Sequence, residues 1–141
     1  MTVTEDHRAR RIAEHMFARE GTAPAWGLSI DEVRVGYARV AMTVRADMLN
    51  GHGLAHGAMV FAVADSAFAY ACNSRNLATV AQGASIVFLS AAQSGERLVA
   101  EAVERAIEGR SGVYEIVVRA GERVVAVMQG QSRATGAAIL D

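Results

Sequence analysis

The sequence predicts an α+β domain in which an antiparallel sheet of about six strands wraps around one long apolar helix. Three observations point there. Residues 58–72 (AMVFAVADSAFAYAC) are apolar around the whole circumference of a helix, apart from Asp65 and Ser66. Several segments on both sides of that run alternate with a period of two, as strands do. At 141 residues the chain fits one domain with a substantial core, spanning 1–141, onto which an N-terminal helix within residues 1–21 packs.

In chain order, residues 5–19 have helical spacing, with Ile12, His15, Met16 and Arg19 three and four apart. Gly21 and Pro24 end that helix. From 26 to 45 the pattern turns to alternation, Val33, Val35 and Tyr37 on one parity and Val40, Met42 and Val44 on the other, with Gly36 as the turn between two strands. Residues 47–57 contain three glycines and form a loop. The apolar helix follows and stops at the polar NSRN segment. Residues 80–89 form a strand centred on SIVFL. Residues 98–107 suit a helix by their Glu and Arg spacing and a strand by the alternation of Leu98, Ala100 and Ala102. Residues 113–119 and 123–128 form a hairpin turning at Ala120, Gly121 and Glu122.

Composition excludes several classes. With 52% hydrophobic and 21% charged residues, the chain is not disordered. The apolar run falls short of the ~20 residues of a bilayer span, and the charged N-terminus lacks the apolar stretch of a signal peptide. The single cysteine, Cys72, forbids an internal disulfide and fits a cytoplasmic setting. The 14 basic residues, all arginine, are balanced by 15 acidic ones, which argues against a nucleic-acid surface.

Asp65 is the only charge in the apolar run, and burying an unpartnered carboxylate is costly. It is either a nucleophile or general base, or one half of an ion pair with an arginine, including one across a subunit interface. Gly57 opens the helix, where free N–H groups attract negative charge and a glycine admits close approach; it equally suits a tight loop-to-helix turn. Asn50 can bond a carbonyl or orient a water, or serve as a turn residue. His52 and His56 lack a metalloprotease pattern, and no metal or redox cofactor is expected. Ser66 lacks the glycine elbow of hydrolases. Met59, Phe61, Phe68 and Tyr70 are candidates for an aryl-lined pocket or for plain core.

Taken together, NGHGLAHGAMVFAVADSAFAYACN (residues 50–73) resembles the signature of hotdog-fold acyl-CoA thioesterases of the PaaI (phenylacetyl-CoA thioesterase) type. The likeness continues through VAQGASIVFLSAAQSGERL and GRSGVYEIVVRAGERVVAVMQG, from about Trp26 onward. It implies a hotdog fold, a homodimer with active sites at the interface, commonly paired into a homotetramer, and an acyl-CoA substrate with no separate cofactor. By the same resemblance the Gly57 N–H holds the thioester carbonyl. Asp65 is the nucleophile or base acting from the other subunit, Asn50 orients substrate or water, and His56 is a positioning residue. Ala58 replaces a second glycine common in the family and is expected to leave its N–H available. Phe68 and Gln82 are candidates for substrate contact, with Thr79 the alternative to Gln82. Arg110 and Ser111 are candidates for the coenzyme A phosphates. A non-catalytic acyl-CoA-binding module and a hydroxyacyl-thioester dehydratase are the rival functions.

Overall fold

The computed structural model describes residues 3–141. The helix expected near the N-terminus, α1, covers Val3–Arg19. Its buried stripe is Ala9, Ile12 and Ala13, and it packs against strand β1. Gly21 and Pro24 do not simply end it, because a one-turn helix α2 (Thr22–Ala25) follows. Strands β1 (Ser29–Arg34) and β2 (Tyr37–Thr43) pair as the alternation predicts. Gly36 makes the turn with φ +75°, a left-handed value that side chains disfavour, and donates its N–H to Ser74 Oγ at 2.8 Å.

A single 3-10 turn (Ala46–Met48) and an extended loop lead into α3 (Gly57–Cys72), the apolar helix. Then come β3 (Thr79–Phe88), β4 (Arg97–Glu108), β5 (Ser111–Ala120) and β6 (Arg123–Ala134). The ambiguous 98–107 segment is therefore strand. There Leu98, Ala100 and Ala102 face the core, while its Glu and Arg side chains pair with neighbouring strands and Arg75. Long-range pairing decides what local spacing leaves open.

The six strands form one antiparallel sheet in the order β1-β2-β4-β5-β6-β3. α3 lies across its concave face, chiefly on β4, β2 and β5. Val60, Val63, Ala64, Ala67, Phe68 and Ala71 point into the core, and opposite them lie Ala100, Ala102, Ile116, Val118, Ala126 and Met128. Small residues on both surfaces let helix and sheet approach closely. No helix among the described residues is long and apolar enough to cross a membrane.

The two sheet edges differ. β1 is six residues long, carries Asp31, Glu32 and Arg34, and is broken by a bulge between Ile30 and Glu32. β3 is ten residues long and is exposed along most of its length, with Val80, Val87 and Phe88 more than half exposed and Leu89 just beyond.

The candidate active site at the open end of the central helix

The loop before α3 is tied by its own polar groups. Leu49 bridges to Ala55, and the Asn50 N–H donates to the Leu54 carbonyl at 2.7 Å. Asn50 Oδ1 accepts the N–H groups of His52 at 2.9 Å and Leu54 at 3.1 Å. The turn role of Asn50 is thus real, and only its side-chain NH2 remains for a substrate or water. The His56 N–H donates to the Met48 carbonyl at 2.9 Å, which sets where the helix begins.

His56 is the N-cap of α3, in extended backbone conformation, and its Nδ1 accepts the Ala58 N–H at 3.0 Å. A neutral ring bonded this way has its proton on Nε2. The Ala58 N–H, expected to be available, is therefore occupied. The Met59 and Val60 N–H groups turn back to the His56 carbonyl. Among the described residues, nothing accepts from the Gly57 N–H. One donor is left open at the positive end of a four-turn helix, a place that favours an acceptor carrying negative charge.

Gly57 is helical and its φ is not positive, so no unusual backbone angle calls for glycine; what a side chain here would meet is the Phe88 ring, which would have to give by a few tenths of an ångström. A Cβ there would stand 3.3 Å from the tip of the Phe88 ring. Phe88 shares the concave face with Ile86, two residues earlier on β3, and is 52% exposed. With Asn50, Leu54, Gly57, Val60 and Leu89 it lines an open groove of about 370 Å³. No local pattern marks this contact, because it depends on β3 lying at the sheet edge next to β6.

Asp65 sits in the middle of α3, half-buried, and its carboxylate has no hydrogen bond or ion pair among the described residues. The arginine pairing within one chain, part of one of its two readings, is absent among the described residues. Burial, and then the charge of Glu20, raises its pKa above the ordinary value of 3.8. Glu20 follows α1 and accepts a hydrogen bond from the Tyr70 hydroxyl at 2.8 Å. Tyr70 is thereby a buried tether between α1 and α3 and not part of an open aryl pocket. Ser66, beside Asp65, donates its hydroxyl to the Ala62 carbonyl at 2.8 Å. Burial and the Asp65 charge push the Cys72 thiol up to about 12, so it is no nucleophile at neutral pH. Ala58, Ala62, Asp65, Ser66 and Ala69 form a stripe of α3 that the chain leaves partly uncovered.

The remaining candidates are scattered. Phe68 is 1% exposed, against Tyr114 with ring centroids 5.5 Å apart and against Gly130, where a Cβ would meet its ring at 2.9 Å. It fills the core and contacts no open surface, contrary to its expected place on substrate. Gln82 lies in the β3 bulge, exposed, and Thr79 donates its hydroxyl to the Leu77 carbonyl. Arg110 and Ser111 line a cleft with Cys72 and Tyr114 at the C-terminal end of α3. Sixteen residues of helix separate that end from Gly57, about 24 Å.

Residues 52–127 match the sequence profile described as Thioesterase superfamily. The chain belongs to the thioesterase superfamily. Acyl-coenzyme A thioesterase PaaI of Escherichia coli (strain K12) is 42% identical over 134 residues, covering 94% of this thioesterase and 96% of the relative. The solved structure of the E. coli PaaI protein from the phenylacetic acid degradation operon superposes with a TM-score of 0.92 at 40% identity, covering 94% of this chain and 97% of that one. A variant of the phenylacetic acid degradation protein PaaI from Thermus thermophilus gives a TM-score of 0.79 at 36% identity, covering 81% and 98%. The hotdog arrangement expected from the sequence, sheet and central helix with an added N-terminal helix, is the one observed.

Proposed function

We propose that this thioesterase hydrolyses acyl-coenzyme A thioesters, with an aryl-acetyl group as the favoured acyl part, to the free acid and coenzyme A. The observation that carries the reading is the unoccupied Gly57 N–H, set against an unpaired carboxylate on the uncovered stripe of the same helix. The name of the 42% identical relative supports the acyl-coenzyme A part, and its operon supports the aryl-acetyl part.

Eight residues of helix put Gly57 and Asp65 about 12 Å apart along the axis. One carbonyl cannot rest on that N–H and be attacked from that carboxylate within a single chain. A homodimer solves the geometry. The exposed apolar β3 edge and the open stripe of α3 face a second copy, and two α3 helices running antiparallel bring Asp65 of the partner subunit toward Gly57. Two such dimers stack as a homotetramer.

The thioester carbonyl oxygen accepts from the Gly57 N–H, which stabilises the oxyanion as the carbon is attacked. Asp65 of the partner subunit acts in one of two ways. As a nucleophile its oxygen bonds the carbonyl carbon, the C–S bond breaks, coenzyme A leaves as thiolate, and water then hydrolyses the mixed anhydride. As a base it takes a proton from water, whose oxygen bonds the carbonyl carbon; the C–S bond then breaks and coenzyme A leaves as thiolate, which the proton held by Asp65 can neutralise. Water is the only co-reactant in either case. The Asn50 NH2 holds that water or the carbonyl, and His56 keeps the Ala58 N–H out of competition. Antiparallel pairing also brings the partner's Arg110 and Ser111 to the Gly57 end, where they take the phosphates of coenzyme A. Gln82, exposed on the same edge strand as Phe88, contacts the substrate's pantetheine arm. The cytoplasm, where acyl-coenzyme A is held, is the expected compartment.

The test is a panel of aryl-acetyl and fatty acyl-coenzyme A substrates, with thiol release followed for the wild type and Asp65→Asn. Release by the wild type alone is expected, fastest with phenylacetyl-coenzyme A. Full activity in Asp65→Asn sinks the mechanism, and a wild type that binds without releasing thiol sinks the function.

A further inference from the structure

Phe88 is a large aromatic ring that the chain leaves half exposed, and its position on the sheet aims it at one atom group. Its tip would be 3.3 Å from a Cβ on Gly57, with the two neighbouring ring carbons at 3.6 and 3.8 Å. It therefore stands beside the single open N–H of the α3 N-terminus. It closes one side of a groove whose other walls are the aliphatic Leu54, Val60 and Leu89 and the polar Asn50. The backbone around it is fixed: Phe88 pairs with Ala126 in the sheet, and the following Leu89 N–H donates to the Val125 carbonyl at 2.8 Å. The ring's point of attachment is thus set, and the ring is not needed to fill the core.

We infer that Phe88 is the wall against which the thioester group itself lies, holding its carbonyl oxygen on the Gly57 N–H. This rests on the thioesterase reading above. A carbonyl oxygen on that N–H places the thioester plane within van der Waals reach of the ring, and divalent sulfur packs well against aromatic rings. Its contact is with the group common to all substrates, so its role is orientation and not choice of acyl group. A displacement of about 1 Å at a reacting centre costs on the order of a hundredfold.

The test compares wild type, Phe88→Ala and Phe88→Leu on acetyl-, hexanoyl- and phenylacetyl-coenzyme A, with mass by light scattering and melting temperature recorded for each. Phe88→Ala is expected to lower kcat by about ten- to a hundredfold on all three substrates. Phe88→Leu, which keeps an apolar wall, should restore most of it. Mass by light scattering should stay as in the wild type, because two β3 edges meet through backbone pairing, while the melting temperature falls with the apolar contact the ring gives up. Unchanged kcat, a loss confined to phenylacetyl-coenzyme A, or a loss that follows dissociation of the assembly each overturns the inference. A wild type inactive on all three overturns the parent reading instead, and this one with it.

Discussion

The two ends of α3 are built in opposite ways. At the C-terminal end the polar groups are matched. Asn73 donates to the carbonyls of Ala69 at 2.8 Å and Thr79 at 3.1 Å while accepting the Thr79 N–H at 2.8 Å. Ser74 donates to the Ala71 carbonyl at 2.6 Å and accepts from Gly36. Arg75 then forks onto Glu104, which also accepts from Tyr114. At the N-terminal end His56 caps one N–H and Gly57 keeps another open. One end anchors the helix to the β1–β2 turn, β3 and β4, so the other can remain unsatisfied where a substrate would supply the missing acceptor. The contrast separates residues that hold the fold from residues proposed to do the chemistry.

Substitutions can break or sharpen that contrast. The largest expected effect is Asp65→Asn, a loss of about a thousandfold in kcat, near 4 kcal/mol, read as thiol release. The same variant should melt higher than the wild type at pH 7. The pKa of Asp65 is raised, so the folded chain binds its proton more tightly than the unfolded chain does. Stability is then highest below the ordinary 3.8 and falls as pH rises through the raised value, and the amide removes that loss. Turnover runs the other way: kcat should fall as pH drops through the raised value, earlier than for an ordinary carboxylate. Next is Asn73→Ala, which orphans the Thr79 N–H and should cost about 2–3 kcal/mol in urea unfolding, with kcat of the folded protein unchanged. His56→Ala should cost about 1 kcal/mol as a lost N-cap. It should also lower kcat several-fold, because the freed Ala58 N–H competes for the carbonyl. The smallest effect is Arg110→Ala, a rise in KM of about threefold for coenzyme A thioesters, in line with an exposed ionic contact. An N-acetylcysteamine thioester, which has no phosphates, should show no change.

Much of this is legible in the sequence because it is local or compositional. The apolar run with one carboxylate marks α3 and singles out Asp65, and the Gly57 boundary follows from the loop before it. What stays hidden depends on residues distant in sequence. The 98–107 segment becomes a strand only through pairing with β2 and β5. Phe88 meets Gly57 across thirty-one positions, and Glu20 meets Tyr70 across fifty, with no pattern marking either pair. Phe68 misleads for a related reason. Helical spacing puts it on the face of Phe61, seven residues earlier, but Gly130 on β6 leaves a recess that its ring fills.

The unequal edges of the sheet govern how copies of this chain can add to one another. β3 is a long edge strand with exposed apolar side chains, paired to β6 on one side only, the kind that templates further strands. β1 is short, charged and bulged, and offers no matching acceptor at the far side. A unit with one adhesive end and one inert end terminates its own growth. In the proposed dimer, two copies joined through β3 would present only β1 edges to the outside, so the sheet would double in width without propagating into a fibre.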